Sequence, residues 1–315
     1  MSAVHRCALH RARDDKLGAL WHNVAALPPS PPIRMLPGVA PLARDYDGFI
    51  LDLWGVIHDG VTVFPGVIDC LSRLHSAGKR FLMLSNAPRR ADFIADGMIK
   101  MGIPAALCRD IMSSGEATWR ELKTRRDPWY ARLGRKCLHI GPDRDLNMFE
   151  GLDLERVADI ADAAFIMNTG PWRDEEQVAD YEEKLQAGVR RNLPMVCVNP
   201  DLEVIRGGQR IICAGALAQR YEELGGDVRY QGKPYPEIYG ACFETLGIAD
   251  KRRVLAIGDS LRTDIAGAAA AGIDSALVLS GLHGDELGAA TPEAIERTVG
   301  RAGHRPTIIL PGLAW

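Results

Sequence analysis

The stretch "FILDLWGVIHDG", Phe49 to Gly60, decides how the chain folds. Three apolar residues deliver one aspartate, Asp52, to the start of a loop that carries Gly55 and Gly60. Two more segments share the design. "KRFLMLSNA" runs into Ser85 and Asn86, and "RRVLAIGDS" ends at Gly258, Asp259 and Ser260. Each is a short, unbroken apolar run with charge on one side and small polar residues on the other. That is the pattern of a strand buried on both faces.

Helical patterns lie between and after these runs. "GVIDCLSRLHSAGK" sets apolar residues at helical spacing and stops at Gly78, suited to the position just beyond a helix C-terminus. "LRTDIAGAAAAGI" is rich in alanine, so its backbone can lie close to a sheet, and it ends at Gly272. "DSALVLSG" and "HRPTIILPG" read as two further strands. Strands alternating with helices predict a Rossmann-like α/β core, a mostly parallel sheet with helices on both faces.

Residues 115–229 interrupt this core with strand candidates of their own, "KCLHIG", "AAFIMNTG" and "LPMVCVNP", and a helical pattern, "DEEQVADYEEKLQAGVRR". The length suffices for an inserted α/β cap domain. The expected layout is a core of residues 35–114 and 230–315 with a cap of residues 115–229. An insertion between strands whose loops carry a site is well placed to act as a lid.

A net charge of −3 on 315 residues leaves no electrostatic footprint for nucleic acid. No apolar run is long enough to cross a bilayer. The seven cysteines (Cys7, Cys70, Cys108, Cys137, Cys197, Cys213, Cys242) are scattered, with no C-x-x-C pair. They predict reduced core thiols in a cytoplasmic protein rather than a disulfide or zinc framework. Residues 1–34 differ in character, with early Arg and His, a late "PPSPP", and no secretory hydrophobic region. They read as a mobile extension with a polyproline-like linker, with Met35 as a rival start.

Ligands of such sheets bind beyond the carboxyl ends of the strands, and Asp52, Ser85 and Asp259 each sit at one. Lys233 in "QGKPYPEIY" and Asp264 in "GDSLRTDIAGA" add a cation and a further carboxylate. These residue types suit phosphoryl transfer. A carboxylate can attack phosphorus, Mg²⁺ takes carboxylate oxygens together with substrate phosphate, and a lysine and a hydroxyl can hold the phosphoryl oxygens. A P-loop reading of "GDVRYQGKP" fails, because its glycine spacing is one residue too long and Pro234 stands where Ser or Thr is required.

Four elements, "DLWGVIHDG", "LSNAPR", "GKPYPEIY" and "GDSLRTDIAGA", occur in an order that resembles the haloacid dehalogenase-like (HAD) superfamily, specifically its class IIA branch of nitrophenylphosphatase-like proteins. The resemblance spans Tyr46 to Leu310, and the insert falls between the second and third elements, as in that branch. It implies a Mg²⁺-dependent phosphatase acting on a small phosphorylated metabolite through an aspartyl-phosphate. Asp52 would be the nucleophile and a metal ligand, Ser85 would hydrogen-bond the phosphoryl group with Asn86 supporting its loop, and Lys233 would bridge phosphate and nucleophile. Asp259, Asp264 and the backbone carbonyl of Trp54 would complete the metal site. The branch often pairs through its caps, which implies a homodimer. Arg89 and Arg90 read as a solvated face, and Asn199 and Asp201 in "NPDLEVIRGG" as either substrate-facing residues or a plain turn.

Trp54 departs from the family pattern. It stands two residues after the nucleophile, where those phosphatases carry the carboxylate that protonates the leaving group and then activates water. General acid–base assistance is worth about 10²–10⁴ in rate. Three outcomes stay open: hydrolysis confined to leaving groups that need no proton, a substitute proton from His58, or a pseudophosphatase that binds a phosphorylated ligand or partner without efficient turnover. An indole beside the phosphate could also stack on an aromatic substrate. Carbon–halogen cleavage ranks below these, because dehalogenases work without the metal and Asp259 and Asp264 are kept here.

Overall fold

A computed structural model of the chain describes residues 33–206, 209–281 and 292–315. The extension expected over residues 1–34 lies outside the described residues up to residue 32, as do Cys7, Gly207 and Gly208. The first strands along the chain are β1 (Arg34–Met35), β2 (Gly48–Asp52), β3 (Arg80–Ser85) and β4 (Ile111–Ser113). Next come β5 (Lys136–Ile140), β6 (Glu155–Val157), β7 (Phe165–Asn168) and β8 (Met195–Cys197). A hairpin of β9 (Glu203–Arg206) and β10 (Gln209–Ile212) precedes β11 (Val228–Tyr230). The last three are β12 (Val254–Gly258), β13 (Asp274–Val278) and β14 (Ile308–Leu310).

Two parallel sheets result. The first has the order β1-β14-β13-β12-β2-β3-β4, and the second β11-β8-β7-β5-β6. In the first sheet the chain moves outward from β2 to β3 and β4, leaves, and returns on the other side of β2 as β12. The reversal lies between β2 and β12, where a parallel sheet opens a crevice at its carboxyl edge.

The unbroken apolar runs follow from having a core on each side. Phe49 and Leu51 of β2, Met83 of β3, and Leu255 and Ile257 of β12 pack into one cluster. Their neighbours Ile50, Leu82, Leu84, Val254 and Ala256 pack into another on the opposite face. Each such side chain, fully buried, stabilises the fold by about 1.5–3 kcal/mol relative to exposure. The second sheet repeats the arrangement, with Leu138, Ile140 and Ile166 on one face and Cys137, Phe165 and Met167 on the other. The six cysteines among the described residues are buried.

Helices α1 (Val67–Ser76) and α2 (Ala91–Lys100) flank the first sheet. α1 buries Val67, Cys70, Leu71 and Leu74, one helical face, and Gly78 beyond its end takes φ +70°. α3 (Ser114–Thr124) starts under a Ser113 cap whose Oγ accepts from the Glu116 N–H at 2.8 Å. Its Ala117 packs in the first sheet's core and its Leu122 in the second's, so the insert begins partway along a shared helix. The second sheet ends with Tyr230 in β11, paired to Cys197.

Two expected helices are shorter than their patterns. In "DEEQVADYEEKLQAGVRR" the α-helix, α4 (Glu182–Arg190), begins only after a 3₁₀ turn at Val178–Tyr181. Glu176 accepts bonds from the Tyr181 hydroxyl and the Arg173 N–H, and these side-chain bonds hold a turn in place of a helix. Helices α5 (Ala214–Glu223) and α6 (Pro236–Leu246) follow. In "LRTDIAGAAAAGI" the residues Leu261–Ile265 form a π turn, with the Ile265 N–H reaching Ser260 O at 3.1 Å, before α7 (Ala266–Ala271). Among the described residues no helix is long and apolar enough to cross a membrane.

Candidate active site

Three carboxylates meet at the β2/β12 crevice. Asp52 ends β2, Asp259 follows β12, and Asp264 reaches back from the π turn. An oxygen of each lies within 4.8 Å of the others, and all three residues are buried. Glycines make the room. A Cβ on Gly55 (φ +79°) or on Gly281 would fall 2.0 or 2.1 Å from Asp259 Oδ2, and one on Gly258 would fall 2.1 Å from Asp264 Cγ.

Lys233 enters this cluster from the strand-to-helix loop before α6. Its Nζ donates to Asp52 Oδ1 at 2.5 Å, to Asp264 Oδ1 at 2.7 Å and to Leu84 O at 3.4 Å. The Ser260 N–H donates to Asp264 Oδ2 at 3.1 Å. One ammonium thus faces three carboxylates. Burial opposes the charge on Lys233, yet Asp264 and Asp52 outweigh it and hold the ammonium well above the usual lysine range. Asp52 is pushed up by burial, with Lys233 opposing and Asp264 and Asp259 reinforcing.

The donor set fits a hard divalent cation. Mg²⁺ takes oxygens at roughly 2.0–2.1 Å in an octahedron, so opposite ligands stand about 4.2 Å apart. The mutual spacing of the carboxylate oxygens is compatible with this. Trp54 lines the same cavity as Asp52 and Asp259.

Ser85, at the end of β3, accepts from the Ala87 N–H at 3.1 Å through Oγ, which leaves its own proton to donate. Asn86 is held at both ends of its amide. Its Nδ2 donates to Asp201 Oδ1 and to Lys233 O, both at 3.0 Å. Its Oδ1 accepts from the Lys233 N–H at 2.7 Å and from Ser114 Oγ at 3.3 Å. With both ends engaged, the amide braces the lysine loop. Asp201, from "NPDLEVIRGG", is thereby tied to this network, and Arg262 Nη2 donates to Pro200 O beside it at 3.2 Å.

Trp54 folds back over its own loop. A Cβ on Gly60 would come within 2.3 Å of the indole, and the ring stands edge-on to His58 with centroids 5.9 Å apart. His58 is buried, its Nδ1 accepts from the Gly60 N–H at 3.0 Å, and burial lowers its pKa. These features together favour a neutral ring with its proton on Nε2.

Arg89 and Arg90 are not a solvated face. Arg90 Nε pairs with Glu116 Oε2 at 2.7 Å and its guanidinium lies 3.8 Å from the Trp119 ring centre. Arg89 Nε reaches Asp145 Oδ1 of the insert at 3.3 Å. Asp145 was absent from the residues the sequence marked, because nothing near "GPDRDLN" signals a partner 56 positions away. The whole region opens on one cavity of about 1530 Å³.

The haloacid dehalogenase-like hydrolase family matches residues 49–155, and a HAD-hydrolase-like family matches residues 230–314. The sequence is 29% identical over 254 residues to a D-glycerol 3-phosphate phosphatase of Mycobacterium tuberculosis, covering 77% of this chain and 65% of that protein. In structure it resembles a haloacid dehalogenase-like hydrolase from Brucella suis, with 33% identity and a TM-score of 0.76, covering 89% of this chain and 100% of the other. A 4-nitrophenylphosphatase of Thermotoga maritima shares the fold at 24% identity, with a TM-score of 0.67 over 86% of this chain and 96% of its own.

Proposed function

The chain belongs to the haloacid dehalogenase-like hydrolase family, and we propose that it is a metal-dependent phosphatase that hydrolyses a small phosphorylated metabolite through an aspartyl-phosphate on Asp52. The observation that carries this is the buried cluster in which Lys233 Nζ bridges Asp52 and Asp264 beside Asp259. Relatives named for D-glycerol 3-phosphate and 4-nitrophenyl phosphate support a phosphate ester as substrate.

On this reading an oxygen of Asp52 attacks phosphorus as the bond to the leaving oxygen breaks, and water later releases phosphate from the aspartate. Lys233 and the Ser85 proton hold the phosphoryl oxygens, and Asn86 keeps Lys233 in register. Asp52, Asp259, Asp264 and the Trp54 carbonyl would hold Mg²⁺, which when bound offsets the negative charge of the phosphoryl group. Residues 115–229 act as the cap, tied to the core through Asp201 and Asp145. The buried thiols support a cytoplasmic location.

Proton supply shapes the substrate range. Trp54 has no proton to give, and a neutral, buried His58 with Nδ1 engaged is a poor acid. The enzyme therefore acts on leaving groups that depart unaided, such as acyl and aryl phosphates.

The test is phosphate release with Mg²⁺ from acetyl phosphate, p-nitrophenyl phosphate and glycerol 3-phosphate. Acetyl and p-nitrophenyl phosphate should turn over faster than glycerol 3-phosphate. Asp52→Asn should lower the rate by about 10⁴-fold or more. Turnover surviving in Asp52→Asn would overturn the assignment, and binding of all three without release would leave a binding module.

A further inference from the structure

The cavity is far larger than a small phosphate ester requires. At about 1530 Å³ it exceeds the roughly 300–1,000 Å³ of ordinary small-molecule sites. Its polar groups are unevenly spread. Asp52, Ser85, Lys233 and Asp259 cluster at the sheet edge, whereas α2 contributes Phe93, Ile94 and Met98, and the β9–β10 hairpin with the residue before it contributes Leu202, Val204 and Ile211. Phe93 is 47% exposed on the wall of the cavity, with the Arg89 guanidinium 5.5 Å from its ring centre.

Several cations along this wall are already paired: Arg89 with Asp145, Arg144 with Asp174, and Arg210 with Glu203. A second anionic group reaching these arginines would compete with their carboxylates, while an uncharged apolar body would not. Trp54 adds an aromatic surface next to the phosphate end, where the family pattern expects a carboxylate.

From this asymmetry we infer that the substrate is an aryl or acyl phosphate whose leaving group carries a bulky, uncharged apolar body, lying between α2 and the hairpin while its phosphate sits at Asp52. This rests on the phosphatase reading for the phosphate end only, and it concerns the opposite end of the same cavity.

Binding tests it independently of turnover. Alkylphosphonates from methyl to octyl, which cannot be hydrolysed at the C–P bond, are titrated below their micellar concentrations with Mg²⁺ present. Each added methylene should tighten binding by about fourfold until the wall is covered, the factor that corresponds to about 0.8 kcal/mol per buried CH₂. Phe93→Asp should flatten the series, weakening octylphosphonate far more than methylphosphonate. Methyl- and octylphosphonate binding within twofold of each other would overturn the inference, even if acetyl phosphate is hydrolysed. A steep chain-length gain with no hydrolysis of p-nitrophenyl or acetyl phosphate would uphold it and sink the phosphatase reading instead.

Discussion

The two sheets are built alike and end differently. Both are parallel, and both present alternate residues to two apolar layers. At the carboxyl edge of the second sheet, the polar groups satisfy one another. Asn168, ending β7, donates through Nδ2 to Ala214 O at 2.9 Å and accepts from the Gly170 N–H at 3.2 Å, while His139 Nε2 meets Thr169 Oγ1 at 2.9 Å. At the edge of the first sheet, Asp52, Asp259 and Asp264 converge with one ammonium among them. The architecture supplies a rim in both cases. What separates the two edges is the kind of group that meets there, neutral amides and hydroxyls at one and buried ionisable groups at the other.

The buried ion pairs predict that the first edge is costly to disturb. Lys233→Met leaves Asp52 and Asp264 facing each other without their cation. Breaking a buried ion pair from one side typically costs about 3–5 kcal/mol, so denaturant unfolding of the metal-free variant should show a loss of that size, along with loss of turnover. A cost below about 1 kcal/mol, the range of an exposed pair, would mean that this edge is as self-sufficient as the other.

Trp54 marks the next contrast, since it takes a carboxylate out of the reactive edge. Trp54→Asp restores a group that can protonate the leaving oxygen. The rate on glycerol 3-phosphate should rise by about 10²–10⁴-fold, with a much smaller gain on acetyl phosphate, whose leaving group needs no proton. Equal gains on both would show that the indole limits access to the site rather than proton supply.

Metal should compete with the proton for this cluster. The raised pKa of Asp52 means that the folded, metal-free protein holds its proton more tightly than the unfolded chain does. That contribution to stability is present at low pH and lost as pH rises through the folded-state value, because the buried carboxylate must then carry charge. Mg²⁺ binds the ionised form, so its stabilisation should grow with pH, reaching about 2.7 kcal/mol at a hundredfold excess over Kd. Thermal unfolding at pH 6 and pH 8, with and without Mg²⁺, checks this. A shift that persists undiminished in Asp259→Asn would place the ion elsewhere.

Much of this was legible in the chain. Unbroken apolar runs ending at Asp52, Ser85 and Asp259 pointed to buried parallel strands and to one rim, because strand burial and strand-end polarity are local properties. Pairings that join distant segments left no local trace. Arg89 reads as one of two exposed cations until Asp145 is brought against it, and nothing beside Asn86 announces that Asp201 and Lys233 take up its amide. The π turn at Leu261–Ile265 was equally hidden, since an alanine-rich pattern favours helix without setting its pitch, and Asp264 owes its reach to that turn. Short strands such as β4 and β6, three residues each, fall below the length at which periodicity speaks.

The smallest effect is expected on the second edge, and it is the sharpest check on the contrast. Asn168→Ala removes a buried amide and orphans the partners it held, Ala214 O and the Gly170 N–H. Leaving such groups unsatisfied costs about 1–3 kcal/mol, which urea unfolding would register as a lower midpoint at unchanged slope. Turnover per folded molecule should stay within about threefold of the parent, because the groups that meet at that edge are neutral amides and hydroxyls. A tenfold loss of kcat with stability intact would reverse the assignment, for it would mean that Asn168 or the Thr169–Gly170 turn beside it contacts the reacting groups and that the second edge takes part in the chemistry.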